Sequence, residues 1–205
     1  MVSLMNSESS SINKCREGYF IMNSIIFYFS ATGNSLEIAR KLTKGLGDCA
    51  IKSMTAQMPG EPVGGPGKSI GFVFPVFYNG LPRFVKQFVE KLDILPETYC
   101  FALINSGGSR ANTLGMLEDI LQKKGIGLSY ADEVKMPGNY IVNYPASAPD
   151  KVQNIIKAAV GKVEKAAKAI AGGVRLPVKR KADLWSKITN RSFCIKISTD
   201  GMKNL

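Results

Sequence analysis

The stretch from Ser24 to Leu46, SIIFYFSATGNSLEIARKLTKGL, constrains this chain more than any other. Ile25, Ile26, Phe27, Tyr28 and Phe29 form an unbroken β-branched and aromatic run, which predicts a strand buried on both faces of a parallel sheet. Ser30-Ala31-Thr32-Gly33-Asn34-Ser35 then packs small and hydroxylated residues into one tight turn. Beyond it Leu36, Ala39, Leu42 and, less strictly, Leu46 recur at helical spacing, with Arg40, Lys41 and Lys44 turned away. The order strand, hydroxyl-rich loop, helix predicts an anion seat. A helix N-terminus leaves its first amides without partners and carries about half a positive charge, and a loop bent around it holds a phosphate with amides and hydroxyls. Ser30, Thr32 and Ser35 supply hydroxyls, Gly33 permits close approach, and Asn34 tolerates a left-handed backbone. No Lys or Arg stands in the loop, which suits a terminal monophosphate better than a triphosphate with magnesium. The plainer reading is a capped helix start, since Ser, Thr and Asn are common caps.

Strand-like and helix-like segments alternate along the rest of the chain. Cys49 to Ser53 reads as a second strand, reached through Gly45 and Gly47 as the end of the first helix. Ser69 to Phe74 reads as a third and Tyr99 to Asn105 as a fourth. Leu128 to Val134 reads as a fifth, with a polar centre. Helices are expected from Pro82 through Leu92, from Ala111 to Lys124, and from Pro149 to Ala171. The last would bury Val152, Ile155, Ile156, Ala159, Val163, Ala166, Ala167 and Ile170. Such alternation predicts a parallel sheet covered on both faces, with ligands outside the C-terminal strand ends. Gly67-Lys68-Ser69 ends like a triphosphate loop, but Pro62 stands where the first Gly is required. The segment also leads into a strand instead of opening a helix.

The phosphate loop after a hydrophobic strand resembles the FMN loop of flavodoxins. A Pro-Val-aromatic loop at Pro75-Val76-Phe77 and the segment Met136-Pro137-Gly138-Asn139-Tyr140 extend the likeness, over about Asn23 to Gly172. The whole is similar to the flavodoxin-like half of flavodoxin–ferredoxin fusion proteins of anaerobes. The resemblance implies an α/β three-layer sandwich with a five-stranded parallel sheet in the order 2-1-3-4-5. In that order the loops after the first and third strands emerge side by side. It implies FMN as cofactor, the phosphate on Ser30 to Ser35, and the flavin ring among Pro75, Val76, Phe77, Tyr78, Asn79 and Gly80, Asn105, Ser106, Gly107, Gly108 and Ser109, and Asn139 and Tyr140. Phe77 and Tyr78 can form one flat wall and Tyr140 the other, and Ser106 to Ser109 can offer amides to the pyrimidine edge. Plainer readings stand beside these: Phe77 as ordinary core, Gly107-Gly108 as a turn, Tyr140 as an exposed amphipathic residue. In flavodoxin-like proteins a peptide in the second loop turns its carbonyl toward flavin N5, which favours one-electron chemistry. Asn79-Gly80, both tolerant of positive φ, would take that part.

Three segments follow: an N-terminal extension over residues 1–22, Ser-rich and expected to be disordered; the flavodoxin-like domain over 23–172; and a basic tail over 173–205. Met22 directly precedes the first strand and is a candidate natural start. The net charge of +11 is uneven. Residues 22 to 149 hold 12 Lys and Arg against 10 Asp and Glu, whereas residues 151 to 205 hold 13 against 3. Many flavodoxins are acidic; a nearly neutral domain with a basic tail departs from that. The tail, with Lys179-Arg180-Lys181 and the single Trp185, could steer an acidic ferredoxin or reductase, or be a solvated basic run. The ferredoxin half of the fusions is absent from this sequence, so a separate redox partner such as a ferredoxin is expected. Nucleic acid is not, because the aromatic interleaving of single-strand binders is missing.

The chain has no histidine, which removes Ser-His-Asp and Cys-His nucleophile systems and histidine-bound metals. Cys15, Cys49, Cys100 and Cys194 make no C-x-x-C pair, so no metal or iron–sulfur cluster is expected. No apolar run approaches the ~20 residues of a membrane span, and the N-terminus lacks a signal-peptide pattern; a cytoplasmic protein is expected. The first function expected is FMN electron transfer. The alternatives are an NAD(P)H-dependent flavin or quinone reductase, and a cofactor-free docking domain.

Overall fold

The computed structural model describes residues 23–57, 59–138, 148–176 and 178. The elements run β1 (Asn23–Tyr28), α1 (Asn34–Leu46), β2 (Cys49–Ser53), β3 (Val63–Gly64), β4 (Lys68–Pro75), α2 (Arg83–Lys91), β5 (Ile94–Leu95), β6 (Tyr99–Ser106), α3 (Thr113–Gln122), β7 (Leu128–Lys135) and α4 (Pro149–Ala171). The main sheet has the order β2-β1-β4-β6-β7, all parallel. Counting only its five strands, this is 2-1-3-4-5, the flavodoxin-like sandwich. No described helix is long and apolar enough to cross a membrane.

Period-two alternation divides the core between two helix layers. Phe27, Phe72, Phe74 and Ile104 face α2 and α3, meeting Val85, Phe88, Val89, Leu117 and Leu121. Ile26, Val73, Phe101 and Leu103 face α1 and α4, meeting Ile38, Leu42, Val163, Ala167 and Ile170. All eight residues of β6 are buried, as its central position requires.

Several boundaries differ from the sequence reading. Gly45 does not end α1; it lies inside the helix where a Cβ would sit 2.6 Å from the Ala167 Cβ, so it is the contact that lets α1 and α4 approach. Gly47, with φ 81°, is the C-cap. The buried stripe of α1 is Ser35, Ile38, Ala39 and Leu42, while Leu36 is half-buried. Pro82 caps α2 and precedes its first turn. Ala111 has φ 45°, a left-handed turn that delays α3 to Thr113. In α4 only Ala159, Val163, Ala166, Ala167 and Ile170 are buried. Ile156 is exposed, and Val152 and Ile155 are half-buried. Two short strands beyond those expected, β3 in the Pro- and Gly-rich stretch before β4 and β5 between α2 and β6, pair in parallel. Thr98 fixes them: its Oγ1 accepts from the Gly65 amide at 2.8 Å and donates to the Leu95 carbonyl at 2.5 Å. Lys68 and Ser69 lie in β4, so Gly67-Lys68-Ser69 opens no helix.

The polar centre of β7 is accounted for by its edge position. Asp132 pairs with Lys162 of α4 at 2.9 Å. The chain after α4 then runs along this edge. The Leu176 amide donates to the Ser129 carbonyl at 2.8 Å, Leu176 bridges Tyr130 in parallel, and the Tyr99 hydroxyl donates to the Val174 carbonyl. Val178 packs against the α2/α3 core. The N-terminal extension, Lys179-Arg180-Lys181, Trp185, Cys15 and Cys194 lie outside the described residues.

Burial pushes the Tyr99 phenol up to about 12, against the opposing pull of Arg175. Burial likewise pushes the Cys100 thiol up to about 12, and Glu118 adds to the rise. Both groups favour the neutral form more when folded than when unfolded, where their ordinary values are 10.0 and 9.0. The stability they contribute is therefore complete below pH 9 and declines as pH rises toward 12. Denaturation followed from pH 8 to pH 12 should show this decline, and Tyr99→Phe should flatten its part above pH 10. Superimposable curves for the two proteins would contradict the assignment to Tyr99.

Candidate functional site at the C-terminal ends of the strands

The loops after β1, β4 and β6 emerge together because β1, β4 and β6 are neighbours in the sheet. In the first, Gly33 is the N-cap of α1 in a left-handed conformation with φ 90° and ψ −23°. A Cβ there would meet nothing within 4 Å, so the glycine is needed for its backbone angle and not for space. No side chain caps α1, and its first amides, Asn34, Ser35 and Leu36, have no intrahelical partner. Ser30 Oγ accepts from the Gly33 amide at 3.0 Å, which closes the loop. Ala31, Thr32 and Gly33 are exposed. This donor set, amides at a positive helix end with hydroxyls, fits a phosphate, and the carboxylate of the first turn, Glu37, is paired with Lys41 at 3.2 Å.

Ser35 has a different place from the one expected of it. It is buried, and its hydroxyl donates to Asn105 Oδ1 at 2.7 Å. Its single proton is thus committed to Asn105, and only its backbone amide remains for an anion. Asn105, also buried, joins all three loops. Its side chain receives Ser35 of the first, its carbonyl accepts from the Val76 amide of the second at 2.9 Å, and its chain continues directly into Ser106 and Gly107 of the third.

The second loop is a two-residue hairpin. Phe77 and Gly80 exchange both backbone hydrogen bonds, at 3.1 and 2.9 Å, around Tyr78 with φ 46° and Asn79 with φ 58°. These are the angles of a type I′ turn. Positive φ was anticipated at Asn79-Gly80; it falls on Tyr78 and Asn79, with Gly80 held in the bridge. Phe77 is 37% exposed and Tyr78 48%. Phe77 is not core: it stands edge-on to Phe29 with ring centroids 6.0 Å apart, and Phe29 rests on Phe84. The hairpin therefore raises two aromatic rings on a packed base. Pro75 ends β4.

In the third loop Gly107, Gly108 and Ser109 are exposed. Gly107 is more than a turn residue. A Cβ there would sit 3.0 Å from Gly138 Cα and 3.2 Å from its nitrogen, so glycine allows the loops after β6 and β7 to touch. The Met136 amide donates to the Ser106 carbonyl at 3.0 Å, and Asn34 Nδ2 to the Pro137 carbonyl at 3.5 Å. Gly108 faces open space. Asn139 and Tyr140 lie outside the described residues.

Two residues of this site were not anticipated, Glu133 and Lys135. Ser106 donates its hydroxyl to Glu133 Oε1 at 2.5 Å. Lys135 Nζ lies 2.8 Å from the same oxygen and 3.1 Å from Ser106 Oγ, and also donates to the Gly108 carbonyl. Opposite charges two apart on a strand share a face; that signal was present in the sequence at the end of the fifth strand. A cavity of about 120 Å³ between α1 and α4, lined by Ile38, Met136, Ile156 and Val163 among others, includes no residue of the three loops. Among the described residues no three His, Cys, Asp or Glu gather as metal ligands.

No protein-family model matches this chain, and no curated protein does. Solved structures do. A candidate flavoprotein of Bacteroides uniformis aligns at 20% identity and a TM-score of 0.44, over 66% of this chain and 98% of that one. The Trp repressor binding protein of Bacillus subtilis aligns at 10% identity and a TM-score of 0.45, over 69% and 95%. A flavodoxin from the domain Archaea aligns at 13% and 0.40, over 72% and 99%. Likenesses this weak decide nothing about the chain, whose fold class rests on its own strand order.

Proposed function

We propose that this protein binds FMN in these three loops and transfers electrons to or from a separate redox protein such as a ferredoxin, in the cytoplasm. The observation that carries the reading is the uncapped start of α1, held by Asn105 beside an exposed aromatic hairpin. A phosphate and a flat ring are the two ends of one ligand that such a site would accept. The phosphate would sit on the amides of Asn34 to Leu36 with Ser30 and Thr32 around it. Phe77 and Tyr78 would cover a ring face, and the amides of Gly107 to Ser109 would meet its polar edge. When bound, the flavin supplies the redox chemistry and the protein tunes it.

Among Ser30–Ser35, Pro75–Gly80 and Asn105–Ser109 there is no carboxylate, amine or thiol. The carboxylate and ammonium beside the third loop, Glu133 and Lys135, are paired with each other at 2.8 Å, which favours electron transfer over bond-making on a substrate. Titration of the purified protein with FMN should quench the flavin fluorescence and shift its visible bands to a saturable end point. Thr32→Val should weaken binding about tenfold, the scale of one or two hydrogen bonds to a charged group. A protein that leaves the FMN spectrum unchanged at saturation would overturn the proposal.

A further inference from the structure

We propose that Lys135 and Glu133 form a charged clamp that orients the third loop and sets the electrostatics of the ring's polar edge. The inference rests on the flavin reading above. Lys135 has three ammonium protons and no acceptor, and three acceptors surround it: Glu133 Oε1, Ser106 Oγ and the Gly108 carbonyl. Ser106 Oγ also lies 3.0 Å from the Gly108 carbonyl, so the clamp and the serine that it holds together fix the direction of that carbonyl. The described peptides are all trans. In a trans peptide the carbonyl and the following N–H point in opposite directions. Holding the Gly108 carbonyl on Lys135 therefore turns the Ser109 amide away from the lysine, in a loop whose residues Gly107 to Ser109 are exposed. A flexible diglycine loop is made into a donor of fixed direction by an ammonium on the neighbouring strand.

The same pair has an electrostatic role. Reduction of a flavin places negative charge on its pyrimidine half. A cation beside that half favours the reduced form, and an anion disfavours it. Lys135 and Glu133 nearly cancel as they stand, so removing either leaves the other uncompensated. The two single variants then move the potential in opposite directions, which a purely structural pair would not do.

The test uses the full chain loaded with FMN. Lys135→Met should make the two-electron midpoint potential more negative, and Glu133→Gln should make it more positive. Lys135→Met should also weaken riboflavin, which has no phosphate, by about five- to tenfold, the scale of one lost directed hydrogen bond. Lys135→Arg should restore most of that affinity. Shifts of the same sign in both variants, or riboflavin affinity unchanged in Lys135→Met, would overturn the clamp while leaving the flavin site standing. If the unaltered protein binds neither FMN nor riboflavin, the functional reading falls and the clamp with it. Circular dichroism and thermal melts of each variant separate a lost clamp from a lost fold.

Discussion

Asn105→Leu should weaken FMN binding about ten- to a hundredfold while changing riboflavin affinity by less than about threefold. The expectation follows from the buried bond between Ser35 and Asn105. Leucine removes the acceptor and leaves the Ser35 hydroxyl buried without a partner, at a cost of about 1–3 kcal/mol. The first turn of α1 relieves that cost by shifting, and a shift disperses the amides that converge on a phosphate. A tenfold loss corresponds to about 1.4 kcal/mol. Riboflavin lacks the phosphate and does not sense the first loop. Ser35→Ala should produce a comparable loss. The double variant should lose much less than the sum, because both changes break the same bond. Equal weakening of riboflavin and FMN, or additive losses in the double variant, would show that Asn105 does not act through the phosphate loop.

The second large effect is on stability. Gly71 lies opposite Phe101 in the β4–β6 register, and the Phe101 ring crosses over it. A Cβ at Gly71 would fall 2.3 Å from Phe101 Cζ and 3.1 Å from Ile26 Cγ1. Phe101 and Ile26 are fully buried, so neither can swing into solvent. Gly71→Ala should therefore destabilise by about 2–3 kcal/mol through overpacking. That should lower the melting temperature by roughly 4–12 °C for a domain of this size. Phe101→Leu costs stability by itself, yet the double variant should be more stable than the two losses added together, since the smaller side chain makes room. A Gly71→Ala protein that melts with the unaltered chain would refute the packing account.

The strand–loop–helix unit at Ser24–Leu46 was legible because its signals agree. A buried apolar run, a glycine and hydroxyls, and helical periodicity follow one another within 23 residues. Strand order was legible for a similar reason: alternation, right-handed crossovers and the resemblance all lead to one topology. The contacts between loops could not be read. Ser35 looked like a phosphate ligand because its type and position fit one. That its proton goes to Asn105, 70 residues away, depends on how far β6 rises beside α1, and no local pattern encodes that. Gly45 looked like a stop signal by its neighbour Gly47, but helix propensity yielded to the approach of Ala167. Asn79 and Gly80 looked like the positive-φ pair of their turn. Two bridge hydrogen bonds to Phe77 instead place the unusual angles on Tyr78 and Asn79. β3 and β5 are two residues each, too short for any period to reveal.

The return of the chain past Val174 has a bearing on self-association. A parallel sheet ends on each side in a row of amides and carbonyls able to recruit a foreign strand. On the outer flank of β7, Leu176 already occupies a place beside Tyr130, so an incoming strand would have to evict the molecule's own backbone before it could add. The opposite flank is guarded otherwise: β2 is only five residues long and carries Lys52, a charge that repels an identical neighbour aligned in register. One border is occupied and the other is electrically unwelcoming.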